Sequence, residues 1–124
     1  GADPVYAASL AVAGSTVSAV RHSAQVTIVA SGLEGASVAD EDEETADLIS
    51  DRILGMPDDP ERLDRIRGGE GAERLRTTAW IDAEDLARCL EVDRFAFALR
   101  ARLTRDTATL RGVHPPQLGS NTRK

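Results

Sequence analysis

Cysteine, aromatic residues and lysine are nearly missing from this chain of 124 residues, and each shortage narrows what the protein can be. The single cysteine, Cys89, excludes an intrachain disulfide framework. With two histidines, His22 and His114, it leaves too few soft ligands for a zinc site made by this chain alone. No apolar run reaches the roughly 18 residues that would cross a bilayer, and no secretory leader pattern is present. A cytoplasmic location with no membrane partner is therefore the default. Only Phe95, Phe97, Tyr6 and Trp80 are aromatic, so the core has to be built from Val, Leu, Ile and Ala, a composition suited to layers of sheet and helix. Arginine outnumbers lysine 14 to 1, which reads as a genomic bias before any guanidinium function. The formal net charge of -6 argues against a nucleic-acid backbone as the main partner, although it leaves room for a local basic face. The chain opens with Gly1 and not methionine, so it is expected to have lost residues or to be a piece of a longer polypeptide.

What the chain has in abundance is carboxylate. Asp40, Glu41, Asp42, Glu43, Glu44 and Asp47 fall within eight residues, after a Gly-containing turn. The preceding residues 25–30 are mostly β-branched and read as a buried strand ended by Ser31 and Gly32. Ala46, Ile49 and Ile53 then follow at helical spacing, so the acids lie at the start of a helix. In open α/β sheets ligands bind at the carboxyl ends of strands, and carboxylates gathered there suit a hard cation such as Mg²⁺. A purely structural role weighs more by spacing alone. Acids in a first turn are favoured by the helix dipole, and Asp40 with Glu43 has the form of a capping box.

The order of elements predicts one domain over residues 1–113 and a flexible tail over 114–124, in which His114 is incidental. A short strand over residues 5–10, a helix carrying Val12, Thr16 and Val20, and the strand over 25–30 form a βαβ unit, expected to be parallel. The acidic helix runs from about Asp42 to Leu54. Asp58, Asp59 and Pro60 start another, with Leu63 and Ile66 on its apolar side. Gly68, Gly69 and Gly71 read as a flexible connection, lacking the Lys and spacing of a phosphate-binding loop. Asp82 and Asp85 cap a helix whose Leu86, Cys89 and Leu90 share one face, which makes Cys89 a buried, inert thiol. Asp93 and Arg94 more often close a turn than bind substrate. From Phe95 the pattern alternates, with Phe95, Phe97, Leu99, Ala101 and Leu103 on one face and Arg100 and Arg102 on the other. A turn at 104–106 leads to a hairpin partner over 107–111.

Taken together, the entry into the first strand, Ser9-Leu10 opening a helix of small residues, Glu41-Asp42 with Ala46, Gly71 to Leu75, and Glu84-Asp85-Leu86-Ala-Arg-Cys89-Leu-Glu-Val-Asp93-Arg94-Phe95 resemble the C-terminal half of the 2-phosphosulfolactate phosphatase family. The resemblance implies a Mg²⁺-dependent phosphatase acting on a small phosphorylated (sulfo)carboxylic acid. It also implies one half of a duplicated α/β fold, a three-layer α/β/α arrangement with a mostly parallel sheet, here ending in an antiparallel hairpin. By the same resemblance Glu41 and Asp42 are the Mg²⁺ ligands. Where the family tends to read Cys-Leu-Arg-Asn-Ala-Ser, this chain reads Ser9-Leu10-Ala11-Val12-Ala13-Gly14, without the Arg and Asn suited to an anion. The glycines expected after the acidic pair are replaced by Thr45 and Asp47.

Two functions are therefore carried forward. In one, Glu41 and Asp42 hold Mg²⁺ and Ser9 or Ser15, with nearby backbone amides, contacts a small anionic substrate; both serines are as readily helix caps. In the other, the chain is a non-catalytic scaffold or binding domain. Half of a duplicated fold leaves an apolar face uncovered, so a homodimer or a complex with a missing N-terminal half is expected.

Overall fold

The computed structural model describes residues 4–32 and 39–115, which fall into two compact units. One unit combines Gly1–Ala24 with Val92–Lys124, and the other is Gln25–Glu91.

The first unit is a three-stranded antiparallel sheet with one helix. Strands β1 (Val5–Ala7), β2 (Ala98–Leu103) and β3 (Ala108–Val113) lie in the order β1-β2-β3. The β2–β3 hairpin forms as the alternation predicts. At its turn the Thr104 N–H donates to the Thr107 carbonyl at 2.8 Å, and the two hydroxyls are hydrogen-bonded at 2.5 Å. After β1, a single 3-10 turn (Leu10–Val12) leads into helix α1 (Ala13–Val20). Leu10, Val12, Ala13, Val17 and Ala98 are buried in this unit. The N-terminus of α1 is held by residues far away in sequence: Asp93 accepts the Gly14 N–H at 2.7 Å, while the Asp93 and Phe95 amides donate to the Leu10 and Ala11 carbonyls. Asp93 adopts φ of 60°, a left-handed conformation that Asp tolerates better than most residues. His114, expected to be incidental, sets its ring edge-on to Phe97, and its Nδ1–H donates to the Ala96 carbonyl at 3.2 Å. The rest of the expected tail, from residue 116, lies outside the described residues.

The second unit is helical: α2 (Asp40–Ile53), α3 (Arg62–Arg67), α4 (Glu70–Arg76) and α5 (Ala83–Cys89). Its buried apolar side chains are Ala39, Leu48, Ile49, Ile66 and Ala72. Helix α2 ends where expected. Gly55 takes φ of 75°, and its amide and that of Met56 close on the Arg52 and Asp51 carbonyls, the left-handed exit that glycine makes without strain. Arg62, at 6% exposure, lies between Glu44 (3.4 Å) and Asp51 (3.1 Å). Arg65 bridges Glu44 and Asp59, and Arg52 pairs with Asp58 through both guanidinium arms. The Asp82–Asp85 capping box forms at the start of α5, with the Asp85 N–H donating to Asp82 at 2.8 Å. No residue of α5 is buried, however, and Cys89 is exposed instead of inert in a core.

The expected three-layer α/β/α fold with a mostly parallel sheet does not form. Among the described residues the sheet has three strands, every pairing antiparallel. Residues 25–30 pair in no ladder, and Val29 stays 80% exposed. β-branched residues favour a pleated, half-buried surface but do not make one, since a strand exists only with a partner. The partner expected for this segment, β1, pairs with β2 instead, and the hairpin closes locally with little loop-closure entropy.

No helix among the described residues is long and apolar enough to cross a membrane.

Candidate functional site

The acidic start of α2 is where sequence placed the chemistry, and two of its carboxylates, those of Asp40 and Asp42, are taken up by backbone amides. Helix α2 begins about two residues earlier than its apolar spacing suggests, with Ala39 at the N-cap and no side chain capping it, so the Asp40–Glu43 box does not form. Asp40 instead reaches α4: its Oδ2 accepts the Glu70 N–H at 3.0 Å, and its Oδ1 accepts the Glu41 N–H at 2.9 Å. Asp42 turns to the segment before the helix, accepting the Gly32 N–H at 2.9 Å and the Ser31 hydroxyl at 3.4 Å. Adjacent helical residues project about 100° apart, so Glu41 and Asp42 diverge.

Glu41 lies against α4, beside Gly71 and 3.7 Å from the Arg74 guanidinium. Its Oε2 is buried without a hydrogen-bond partner as a carboxylate. The neighbouring Asp40 carboxyl raises the Glu41 carboxyl above its ordinary 4.5 and is itself held below its ordinary 3.8, with burial adding to the first and the Glu70 and Glu41 amides to the second. A Cβ on Gly69 would collide with the Asp40 carboxylate, and one on Gly71 with that of Glu41. Gly68 to Gly71 is thus less a flexible connection than a place where two side chains approach the backbone more closely than any larger residue allows.

Glu41 and Asp42 lie in the helical unit, Ser9 and Ser15 in the sheet unit. Ser9 is exposed, precedes the 3-10 turn in extended conformation, and makes no side-chain cap. Ser15, in the first turn of α1, donates its hydroxyl to the Phe95 carbonyl at 3.3 Å. Among the described residues no group of three or more His, Cys, Asp or Glu side chains converges as a metal site would require.

Other charged side chains were given no functional role by the sequence. Arg100 and Arg102 lie on one face of β2, and the β2–β3 register sets Arg111 opposite Arg100 and Thr109 opposite Arg102. With Val5 and Leu103 they border a groove of about 750 Å³. In the helical unit, Glu43 and Asp47, one turn apart on α2, border a second groove of about 590 Å³ with Ile28, Val29, Ala30 and Ser50. The signal that would have found them is charge counted by segment. The sheet unit carries eight Arg or Lys against three acids, a net of +5, and the helical unit seven against eighteen, a net of -11.

Compared with protein-family models, curated proteins and solved structures, the chain matches none.

Proposed function

We propose that this chain is a non-catalytic binding domain that works by assembling with a protein partner. The observation that carries this reading is the use of the acidic cluster. Asp40 and Asp42 satisfy the Glu70 and Gly32 amides, and Glu41 packs on Gly71 beside Arg74. Mg²⁺ prefers several hard oxygen ligands in near-octahedral order. Glu41 and Asp42, pointing to different neighbours, do not fit that requirement as a pair.

The second reading is a Mg²⁺-dependent phosphatase-like domain for a small phosphorylated (sulfo)carboxylic acid, with Ser9 or Ser15 on the substrate anion. It is favoured by the unpartnered Glu41 Oε2 alone.

Thermal melts with and without Mg²⁺ at matched ionic strength separate the two. Wild type and the Glu41→Gln/Asp42→Asn variant are expected to respond alike, with no Mg²⁺-dependent hydrolysis of a phosphomonoester. A gain of about 2.7 kcal/mol in wild type at a hundredfold excess over the dissociation constant, absent in the variant, would establish the metal reading instead.

A further inference from the structure

We infer that two copies of this chain associate through unlike faces, the arginine face of one sheet unit receiving the acidic face of α2 from the other. The inference rests on the assembly reading and names its surface and its partner.

Three observations converge on it. The first is the division of charge, +5 in one unit and -11 in the other. A net of -6 hides this division, which makes each copy electrostatically complementary to the next.

The second is that the charges lining each groove include side chains left open. Arg102 and Arg111 have no ion-pair or side-chain hydrogen-bond partner among the described residues. Glu43 and Asp47 also have none, whereas their neighbour Glu44 is taken up by Arg62 and Arg65. Guanidinium groups suit such a carboxylate, because their planar fork matches it with two parallel hydrogen bonds.

The third is that each groove also has an apolar side. Val5 and Leu103, from the sheet face opposite the arginines, line the margin of the first groove, and Ile28 and Val29 line the second beside Glu43 and Asp47. Leu103 is 62% exposed and Val29 80%. Charges set orientation and on-rate, while burial of these apolar groups adds the attraction that water does not screen. A small phosphate-bearing anion would use the arginines but leave the acidic groove and its apolar margin unexplained.

The test is charge reversal followed by mixing, read by sedimentation velocity on the full chain. Wild type is expected to self-associate at low salt and to dissociate at high salt, as the Debye length shrinks from about 10 Å at 0.1 M to about 3 Å at 1 M. Arg102→Glu/Arg111→Glu and Glu43→Arg/Asp47→Arg are each expected to weaken self-association by on the order of a hundredfold, the scale of losing close charge pairs. Their equimolar mixture is expected to recover it, since each reversed face then meets its complement on the other variant. Far-ultraviolet circular dichroism confirms that both variants are folded. A wild type that stays monomeric at low salt overturns the proposal, as does a mixture of folded variants that fails to associate. Tripolyphosphate binding lost with the arginine reversal, while self-association is untouched by either reversal, would replace the proposal with a small-anion site. Failure on any of these counts, with melts still indifferent to Mg²⁺, removes this surface and leaves the assembly reading standing.

Discussion

Gly71 and Glu41 approach closely in the helical unit, and their coupling is measurable. Alanine is favoured over glycine inside a helix by about 0.8–1 kcal/mol, so Gly71→Ala alone would be stabilising if nothing stood in its way. Here the new methyl displaces the Glu41 carboxyl. We expect Gly71→Ala to be neutral or destabilising in wild type and stabilising by about 1 kcal/mol in a Glu41→Ala background. Urea unfolding of the four proteins of the cycle checks this, and additivity would show that the two residues do not touch. Glu41 also carries a pH signature. Its carboxyl titrates above the ordinary 4.5, so the folded state holds a proton that the unfolded state has lost, and stability falls as pH rises through that window. Glu41→Gln removes this dependence. It is expected to raise the melting temperature at neutral pH, with the gain vanishing below the ordinary Glu value; a gain independent of pH would contradict the raised carboxyl.

At the scale of elements, the α2–α3 pairing depends on Arg62. Removing one member of a buried ionic cluster strands its partners, whereas an apolar side chain of similar volume is often tolerated. Arg62→Ala is expected to cost about 3 kcal/mol and Arg62→Met clearly less, because the aliphatic stem is packed and Nη1 has no partner to lose. Equal losses would mean that charge alone matters. The same cluster sets the response to acid. Arg65 holds Glu44 below its ordinary 4.5, Arg52 holds Asp58 below its ordinary 3.8, and the Glu61 amide with Arg65 does so for Asp59. Their contribution is complete above those ordinary values and is lost as pH falls through the lower folded ones. Amide exchange should therefore accelerate in α2 and α3 before β2 and β3 on acidification, and uniform acceleration would count against the cluster.

At the scale of the whole molecule, two units with separate cores are not bound to melt as one, and the few aromatics report on them unequally. Trp80 is 82% exposed. Its native emission is expected to lie already near that of a fully hydrated indole and to shift little on unfolding, while far-ultraviolet ellipticity changes fully. A blue-shifted native spectrum would show that Trp80 is covered, and its loss on dilution or added salt would trace the cover to self-association. The division of charge belongs to this scale too: residues 92–124 carry seven Arg or Lys against two acids, and the fold joins them with the neutral residues 1–24 into one unit.

Much of this was legible in the residues themselves. The Asp82–Asp85 cap, the Gly55 exit from α2 and the β2–β3 hairpin are local, decided by side-chain and backbone groups a few positions apart, and so they are readable without a fold. Residues 25–30 were misread because a β-branched run states a preference, while the ladder that would satisfy it depends on which strand lies alongside. Cys89 was misread for a related reason: helical spacing defines a face, and only packing decides whether anything covers it. The acids at 40–42 announced themselves by number, but what each one holds was set by the amides of Glu70 and Gly32 and by the bare backbone at Gly69 and Gly71. Composition and short-range pattern determined which helices and turns form, because those energies are local. Pairing, burial and the destination of each carboxylate were left to tertiary structure, because hydrogen bonds and desolvation between segments distant in sequence depend on which groups meet.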